Sequence, residues 1–311
     1  MKHLSFASGR LIIAACGVLL LACSHTPRAE GQELEPLAYS VSPVGVNIVG
    51  FGYGRSAGDL SFDPTLPIED AEATINTTSL GYFRSIDFLG RSANVAVAIP
   101  YVWGSAQGRL AGDFQAITRS GLLDPRLRFA VNLIGAPAMN LKEFVGYRQK
   151  TNLGVSVVVV APTGQYDPNK LINIGSNRWA FKPELGLSRA VGRWTLDLYG
   201  GAWLFTANAN FQGQTRRQNP IGTAQFHASY TLRPRFWISF NANFFTGGRT
   251  TVDGVPRLDF QRNSRAGTTV SIPLNRRQSV KVAFSTGAFT TIGANFDSVA
   301  VTYQYLWGAG L

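Results

Sequence analysis

The chain has 311 residues, of which 15% are charged, 12% are aromatic and 33 are glycine, and its formal net charge is +11. Soluble globular domains carry about 25% charged residues, whereas a membrane-spanning helix needs about 18 consecutive apolar residues. No segment beyond the N-terminus provides such a run, so the composition excludes a helical membrane protein and leaves a soluble β protein or a membrane β-barrel.

Residues 1–24 have the pattern of a secretory signal peptide: a basic start, an apolar run from residue 11 to residue 22, and polar residues from Ser24. Cleavage is expected between residues 22 and 29. The sequence LLAC that ends at Cys23 resembles a bacterial lipobox, in which the cysteine is lipidated and becomes the new N-terminus. Cys23 is therefore a lipidation candidate, and simple cleavage is the alternative. Cys16 is the other cysteine, so the mature chain has no disulfide to form.

Export limits what the basic excess can mean. Without Lys2 and Arg10 the chain keeps 27 basic and 18 acidic residues, a net charge of +9. The basic residues are scattered singly, and an exported protein does not meet nucleic acid. We therefore expect lipopolysaccharide and other outer-membrane lipids, or anionic solutes, as partners, and no nucleic acid.

From residue 44 onward, apolar and polar positions alternate in pieces of about ten residues. Between Phe236 and Phe244 the even positions are Phe, Ile, Phe, Ala and Phe, and the odd positions 239, 241 and 243 are Ser, Asn and Asn. This alternation predicts strands with one apolar face. Twelve such strands are predicted, at residues 44–55, 76–86, 92–104, 124–134, 151–162, 179–190, 193–206, 220–232, 235–247, 263–274, 278–289 and 297–308.

The connections between these strands alternate between two lengths. Long, polar, glycine-rich loops are predicted near residues 56–75, 105–123, 163–178, 207–219 and 248–262, and short turns lie between them. Such alternation is typical of outer-membrane barrels, whose sheet must close because backbone groups cannot stay unpaired in hydrocarbon. The expected fold is all-β: a transmembrane antiparallel β-barrel of about 12 strands over residues 44–311, with long extracellular loops and short periplasmic turns. A short periplasmic segment, residues 25–43, precedes it.

One long connection and two prolines interrupt the regular pattern of strands and turns. Residues 135–150 are long for a turn, and Pro137 stands where a helix can start, so one short periplasmic helix is expected near 137–147, as a plug, a partner contact or a decorated turn. Pro100 and Pro183 lie inside predicted strands, where bulges or strand ends are expected.

The last strand carries one apolar face from Val299 to Leu311. An amphipathic final strand resembles the insertion signal of bacterial outer-membrane proteins, so the barrel-assembly machinery is an expected partner. The localisation that follows is the outer membrane of a Gram-negative bacterium.

Polar residues on the strand faces turned away from lipid are candidates to line a pore, because a barrel of twelve strands is wider than one that its side chains fill. These residues can equally pair with one another. The pore-lining candidates are Arg126, Arg128, Lys182, Glu184, Asp197, Gln225, His227, Asn241, Asn243, Arg265 and Lys281. The loop after residue 162 can fold inward as a gate, and its candidate residues are Tyr166, Asp167, Lys170, Asn177 and Arg178.

Catalysis has one weak candidate pair. His227 and Ser229 share a strand face, and some lipid-modifying barrels use such a pair, but this face points to the interior. The other histidines, His3 and His25, lie at the N-terminus, so no histidine metal site can form. We expect no catalytic residue, no metal and no cofactor, so the chain is not expected to be an enzyme.

Three stretches of the sequence resemble a known family: APTGQYDPNKLINIGSNRWAFKPELGLS from Ala161, DPRLRFAVNLIGAPAM from Asp124, and the ending VTYQYLWGAGL. They are similar to the outer-membrane proteins grouped as transporters of the meta pathway of phenol degradation, over about residues 35–311. The resemblance implies a porin-like channel for small solutes, aromatic or anionic ones among them, but it transfers no site. The alternative is a non-transporting structural or surface-interaction barrel or, last, a lipid-modifying enzyme.

Overall fold

The computed structural model describes residues 34–62, 68–170 and 172–310. The predicted signal peptide, its cleavage site and the lipidation candidate Cys23 lie outside these residues. The described residues form one α-helix, α1 (Leu141–Gly146), and 17 strands. In chain order the strands are β1 (Val46–Ser61), β2 (Ile68–Phe88), β3 (Arg91–Leu110), β4 (Asp113–Leu122), β5 (Arg126–Ile134), β6 (Thr151–Val160), β7 (Ala180–Val191), β8 (Trp194–Phe205), β9 (Asn208–Phe211), β10 (Gln214–Gln218), β11 (Ile221–Arg233), β12 (Phe236–Gly247), β13 (Thr250–Val252), β14 (Val255–Pro256), β15 (Gln261–Pro273), β16 (Gln278–Phe289) and β17 (Gly293–Gly308).

Twelve of the strands close into an antiparallel barrel. Their order around it is β1, β2, β3, β5, β6, β7, β8, β11, β12, β15, β16 and β17, and β17 pairs back onto β1. Each of the twelve predicted segments corresponds to one of these strands, so the prediction of a closed twelve-stranded barrel is confirmed. Closure follows from the physics of a sheet that has lipid on one side, because it leaves no unpaired edge.

Several predicted loops contain more strand than expected. β1, β2 and β3 continue far into the predicted loops 56–75 and 105–123, and β4 pairs with the last ten residues of β3. β9, β10, β13 and β14 form a separate four-stranded sheet over the loop end of the barrel. Apolar residues such as Leu60, Ile75 and Val252 occur in these segments, but the regular apolar alternation by which the other strands were predicted is lacking.

The single helix lies in the connection where it was expected, but it begins later than Pro137. Its N-cap is Asn140, whose side chain accepts a hydrogen bond from the backbone N–H of Glu143, while the Glu143 carboxylate accepts one from Asn140 N–H. This reciprocal pair satisfies two N–H groups that a helix start leaves open. Pro137 instead pairs with Arg91 in an isolated bridge.

Neither strand proline lies at a bulge or a strand end, contrary to the expectation, but both coincide with interrupted pairing on one side. Pro183 pairs with Val157 of β6, but on its other side the β7–β8 register passes from Phe181 to Glu184. Pro100 pairs with Ser79 of β2, and the pairing of β3 with β5 stops two residues earlier, at Ala98. Each proline therefore faces a gap where its missing N–H costs no ladder bond.

The outer face of the barrel is apolar and the inner face is mixed. Leu185, Leu187 and Leu198 are each more than 40% exposed on the outside. The outward Trp179, which directly precedes β7, and the outward Arg189 on β7 are ten positions apart, and a membrane-crossing strand needs about 9–11 residues. Among the described residues, no helix has the length and apolar character to span a bilayer.

Candidate functional site

Residues 34–43, the N-terminal segment, lie inside the barrel. The backbone N–H of Leu37 donates to Asp197 Oδ2 at 3.1 Å, and that of Ala38 donates to the Tyr199 hydroxyl at 3.0 Å, both on β8. Glu35 N–H donates to Gln225 Oε1 on β11 at 3.3 Å. The expectation of a periplasmic segment at 25–43 is therefore wrong for its described part, because these backbone groups find partners on the inward strand faces.

Tyr39 holds this segment at mid-barrel. Its side chain is 1% exposed, and its hydroxyl lies 3.0 Å from Ser156 Oγ and donates to Glu184 Oε1 at 3.2 Å. The ring meets that of Tyr199 edge-on at 5.1 Å, and the Arg128 guanidinium lies 5.2 Å from the ring centre. Residues of β5, β6, β7 and β8 thus contact one side chain.

Two glycines make room for that ring. Gly154 of β6 and Gly186 of β7 are paired across the sheet, and both face inward. A Cβ atom on Gly186 would lie 2.0 Å from Tyr39 Cε2, and one on Gly154 would lie 2.3 Å from Tyr39 Cδ1. We call this pair the glycine slot. Glycine inside a strand commonly marks such a close approach, and both glycines stand on the inward parity.

The segment is also fixed where it leaves the barrel at the turn side. Val41 packs in an apolar cluster with Ala136, Met139 and Phe144 of the 135–150 connection. Val44 N–H donates to the carbonyl of Met139 at 2.8 Å. The helix expected near 137–147 therefore contacts the base of the N-terminal segment of the same chain.

All eleven pore-lining candidates stand on the inward face, but they do not border open water. Ten are buried and Lys281 is partly buried. Lys182 Nζ and Glu184 Oε2 form an ion pair at 2.8 Å, and Gln225 Nε2 donates a hydrogen bond to the same carboxylate oxygen at 3.2 Å. Asn241 Nδ2 donates to Thr269 Oγ1 at 3.0 Å. These inward polar side chains therefore form a bonded polar wall beside the N-terminal segment, and an apolar cluster of Val46, Ile48, Phe83, Ala96 and Leu306 completes the turn-side interior.

His227 and Ser229 share this wall without forming a catalytic pair. His227 Nδ1 lies 2.9 Å from Asn241 Oδ1, and Ser229 Oγ donates to Ser239 Oγ at 3.0 Å. Both side chains are buried inside the barrel, with exposed fractions of 0% and 1%. The geometry of a serine activated by histidine is therefore not assembled in the described residues.

The loop-side half of the interior holds a cavity of about 310 Å³. Its walls come from β1, β2, β3, β17, the loop after β6 and the separate four-stranded sheet, so it occupies the barrel mouth. Apolar side chains such as Ile75, Val102 and Val252 line it. Its charged lining residues, within the described chain, are Arg119, Arg178, Arg216, Arg257 and Asp259.

An apolar layer separates this cavity from the polar wall. It consists of Val158, Val160, Ala180, Trp203, Ile221 and Phe245, all pointing inward from five neighbouring strands. The charged groups of Arg126 and Lys182 lie 5.8 and 5.9 Å from the Trp203 ring centre. Trp203 is completely buried, and its inward parity could have predicted it from the sequence.

The loop after β6 folds inward over the cavity. Tyr166 donates its hydroxyl hydrogen to the carbonyl of Asn210 at 2.9 Å, and Arg178 Nη2 donates to Gln218 Oε1 at 2.5 Å; both residues line the cavity. The buried side chain of Ile174, which was not among the gate candidates, packs with Val102 and Leu123. An apolar residue inside a polar loop was the available signal.

The other three gate candidates hold the loop rather than face the cavity. Asp167 and Lys170 form an ion pair at 3.0 Å, and Asn177 Nδ2 donates to Asn208 Oδ1 at 2.9 Å. The backbone N–H of Asn169, together with Lys170, holds the pKa of the Asp167 carboxyl below its ordinary value. Across the described chain, no group of three His, Cys, Asp or Glu side chains is arranged to bind a metal ion.

Comparisons with known proteins were made for sequence and for fold. Residues 54–307 match the model of the family described as "Putative MetA-pathway of phenol degradation". A search of curated proteins finds no match. The COG4313 outer membrane channel from Pseudomonas putida F1 is similar in structure, with a TM-score of 0.74, 20% identity, and coverage of 88% of this chain and 100% of that one.

A second structure gives a weaker match. The transport unit of the autotransporter AIDA-I from Escherichia coli has a TM-score of 0.47 and 12% identity, covering 84% of this chain and 90% of that one. The identities to both structures are low, so what this chain shares with the Pseudomonas channel is the barrel fold.

Proposed function

We propose, from the premise that the chain belongs to the MetA-pathway of phenol degradation family, that it is a channel in the bacterial outer membrane. The solutes that fit it best are small molecules with an apolar, often aromatic, body and one anionic group. This role requires no catalytic residue and no cofactor.

The observation that carries the proposal is the chemistry of the loop-side cavity. Its volume of about 310 Å³ is at the lower end of the range typical of small-molecule sites. Four arginines and one aspartate line it, while much of the remaining wall is apolar. An arginine fork pairs with a carboxylate in two parallel hydrogen bonds, so apolar walls with arginines favour an aromatic carboxylate over a sugar or a cation.

Passage from the cavity to the turn side needs a rearrangement. A solute leaving the cavity meets the apolar layer around Trp203 and then the N-terminal segment at Tyr39. The segment is held by hydrogen bonds and by the glycine slot, and no covalent bond joins it to the barrel wall at these positions. We infer that it shifts to let a solute through, as segments that switch between two packed states do in other proteins.

One observation favours the second candidate, a non-transporting barrel. The bonded polar wall and the N-terminal segment together fill the turn-side half of the interior. A structural barrel would keep this arrangement permanently, whereas a channel would not. A lipid-modifying enzyme has no such support, since His227 bonds to Asn241 rather than to Ser229.

The test is solute flux into proteoliposomes that contain the full chain. Benzoate is the probe, and benzyl alcohol and glucose are the neutral comparisons, each corrected for leakage into liposomes without protein. The channel proposal predicts protein-dependent, saturable benzoate flux that exceeds glucose flux several-fold. Absence of protein-dependent flux for all three solutes would contradict it and favour the structural barrel.

A matched pair of variants tests the anionic part of the proposal. Arg216 lines the cavity and Arg217, its neighbour on β10, is exposed outside it. Arg216→Gln is expected to lower the benzoate flux at low concentration several-fold and to leave benzyl alcohol flux unchanged. Arg217→Gln is expected to change neither flux. Equal effects of the two variants would show that the lining charge does not select the solute.

A further inference from the structure

Basic side chains are divided unevenly between the two ends of the barrel. We define the turn-side rim as the short turns, the helix connection and the strand residues next to them, namely residues 84–91, 135–150, 189–193, 233–235 and 274–278. Eleven basic side chains lie in the rim against two acidic ones, Asp87 and Glu143. Nine of the eleven are arginine.

The loop-side end is balanced in charge. Leaving aside the rim, Glu35 and the charged pore-lining candidates, the described residues carry ten basic and ten acidic side chains. Glu35 and those candidates together contribute five basic and three acidic side chains. The rim therefore carries nine of the eleven net positive charges of the described chain. Such a one-sided field attracts anions to that end of the barrel.

Several rim arginines point outward, next to the apolar band. Arg84 follows the outward Tyr82 by two positions on β2, and Arg189 follows the outward Leu187 on β7. Arg193 is exposed beside Trp194, whose ring lies 5.0 Å from that of Tyr230. Aromatic rings of this kind sit at the level of lipid headgroups, and long basic side chains reach from there to the phosphates.

We propose that the turn-side rim binds the phosphate groups of anionic phospholipids, of the phosphatidylglycerol and cardiolipin class, in the periplasmic leaflet. The rim offers a ring of cations at headgroup height, and guanidinium groups suit phosphate through two parallel hydrogen bonds. Balanced charge at the loop-side end provides no matching ring there. Arg235 is used within the protein, because its Nη1 donates to the carbonyls of Asn275 and Arg276 at 2.9 and 2.6 Å.

This lipid site is independent of the channel function, because it uses the outer surface and the turns rather than the cavity. A variant that loses solute flux can still bind lipid at the rim, and a variant that loses lipid binding can still bind solute in the cavity. The two proposals can therefore fail separately.

The experiment measures which lipids stay with the purified full chain. The protein is reconstituted into phosphatidylcholine nanodiscs with or without a minor fraction of cardiolipin, and retained lipids are identified by native mass spectrometry. The rim variant replaces four outward or turn arginines by glutamine: Arg84→Gln, Arg189→Gln, Arg193→Gln and Arg276→Gln. The control variant replaces four loop-side arginines: Arg55→Gln, Arg217→Gln, Arg249→Gln and Arg262→Gln. Reduced gel mobility on heating verifies that each variant is a folded barrel.

The proposal predicts several-fold enrichment of cardiolipin over phosphatidylcholine for the unaltered chain. The enrichment should fall to near the bulk ratio in the rim variant, persist in the control variant, and weaken as salt screens the charges. Equal loss in the two variants, or no enrichment at all, would overturn it. Soluble glycerol 3-phosphate is the probe for a free-phosphate site, and displacement of cardiolipin by it at similar concentration would also overturn the lipid assignment.

Discussion

The two halves of the barrel interior differ in what occupies them. The turn-side half is filled: inward Lys182, Glu184 and Gln225 form a bonded polar group beside the N-terminal segment, and an apolar cluster that includes Val46 and Leu306 packs at the turn-side strand ends. The loop-side half is largely apolar and holds a cavity of about 310 Å³. The layer around Trp203 separates them.

This difference assigns separate tasks to the halves. An apolar wall with a few arginines around a cavity can bind a solute. A chain segment held by many directed hydrogen bonds can seal the barrel but leaves no room for a solute. The comparison therefore predicts that changes in the turn-side half alter permeability, and that changes in the loop-side half alter solute selection.

The largest expected effect comes from removing the filling of the turn-side half. Deletion of residues 34–43 should raise single-channel conductance in planar bilayers several-fold, because it removes the segment that contacts β8 and β11. The twelve strands pair without it, so the barrel should still show its heat-dependent gel mobility. Unchanged conductance in a folded deletion variant would mean that another part of the chain closes the route.

A smaller but sharper effect is expected from the glycine slot. Gly186→Ala places a methyl group where Tyr39 now lies, so the ring must move and the conductance should rise. Gly200→Ala is the matched control, since a Cβ there meets nothing within 4 Å. Equal conductance of the two alanine variants would contradict the role of Tyr39 in closing the turn-side half.

In the loop-side half, we expect an effect on solute affinity and little on conductance. Ile174 is buried in the wall of the cavity, and Ile174→Asn replaces an apolar contact by an amide. Benzoate should bind about tenfold more weakly, the effect of losing about 1.4 kcal/mol of apolar contact. Titration of the purified protein measures this. Val255→Asn, at the exposed tip of β14, should leave the affinity unchanged.

The smallest predicted effect concerns the pH dependence of the loop after β6. The pKa of the Asp167 carboxyl is lowered by the Asn169 N–H and by Lys170. Its contribution to loop order is therefore present above the ordinary pKa of about 4 and is lost as pH falls through the lower folded value. Cleavage in this loop by an acid-active protease should increase across that range. Asp167→Asn should abolish the change, whereas Asp113→Asn, at the β3–β4 hairpin, should not.

Sequence alone could predict the barrel wall because lipid imposes a period of two on every strand. All eleven polar candidates stand on the inward strand face for that reason, ten of them buried and Lys281 partly buried. The same period of two could not show that these side chains bond to protein groups rather than to water. Their partners lie on other strands or far away in the chain, as for Asp197 and Leu37, which are 160 residues apart. The β3–β4 and β9–β10 pairings in the loops were not predicted, because these strands do not contact lipid and so lack the apolar period of two.

The location of the N-terminal segment was the main wrong prediction from the sequence, and the reason is physical. LEPLAYSVSP has no periodicity that distinguishes a chain in water from one inside a barrel. Its placement depends on Tyr39 fitting between Gly154 and Gly186, which are 32 residues apart in the chain and adjacent only after β6 and β7 pair. Two inward glycines on neighbouring strands were the available signal, and it required the register to be known.

The accessibility of Ser156, which Tyr39 covers, tests most directly whether the N-terminal segment closes the barrel. Ser156→Cys replaces the serine Oγ, which lies 3.0 Å from the Tyr39 hydroxyl, by a thiol. The chain's own cysteines, Cys16 and Cys23, are near its N-terminus. A small membrane-impermeant thiol reagent is added to cells that carry this variant. Labelling is expected to be slow in the otherwise unaltered chain and rapid when Gly186→Ala is added, because the alanine methyl group displaces the Tyr39 ring. Equally rapid labelling in both would contradict this closure, because the turn-side half would then be open without displacement of the N-terminal segment.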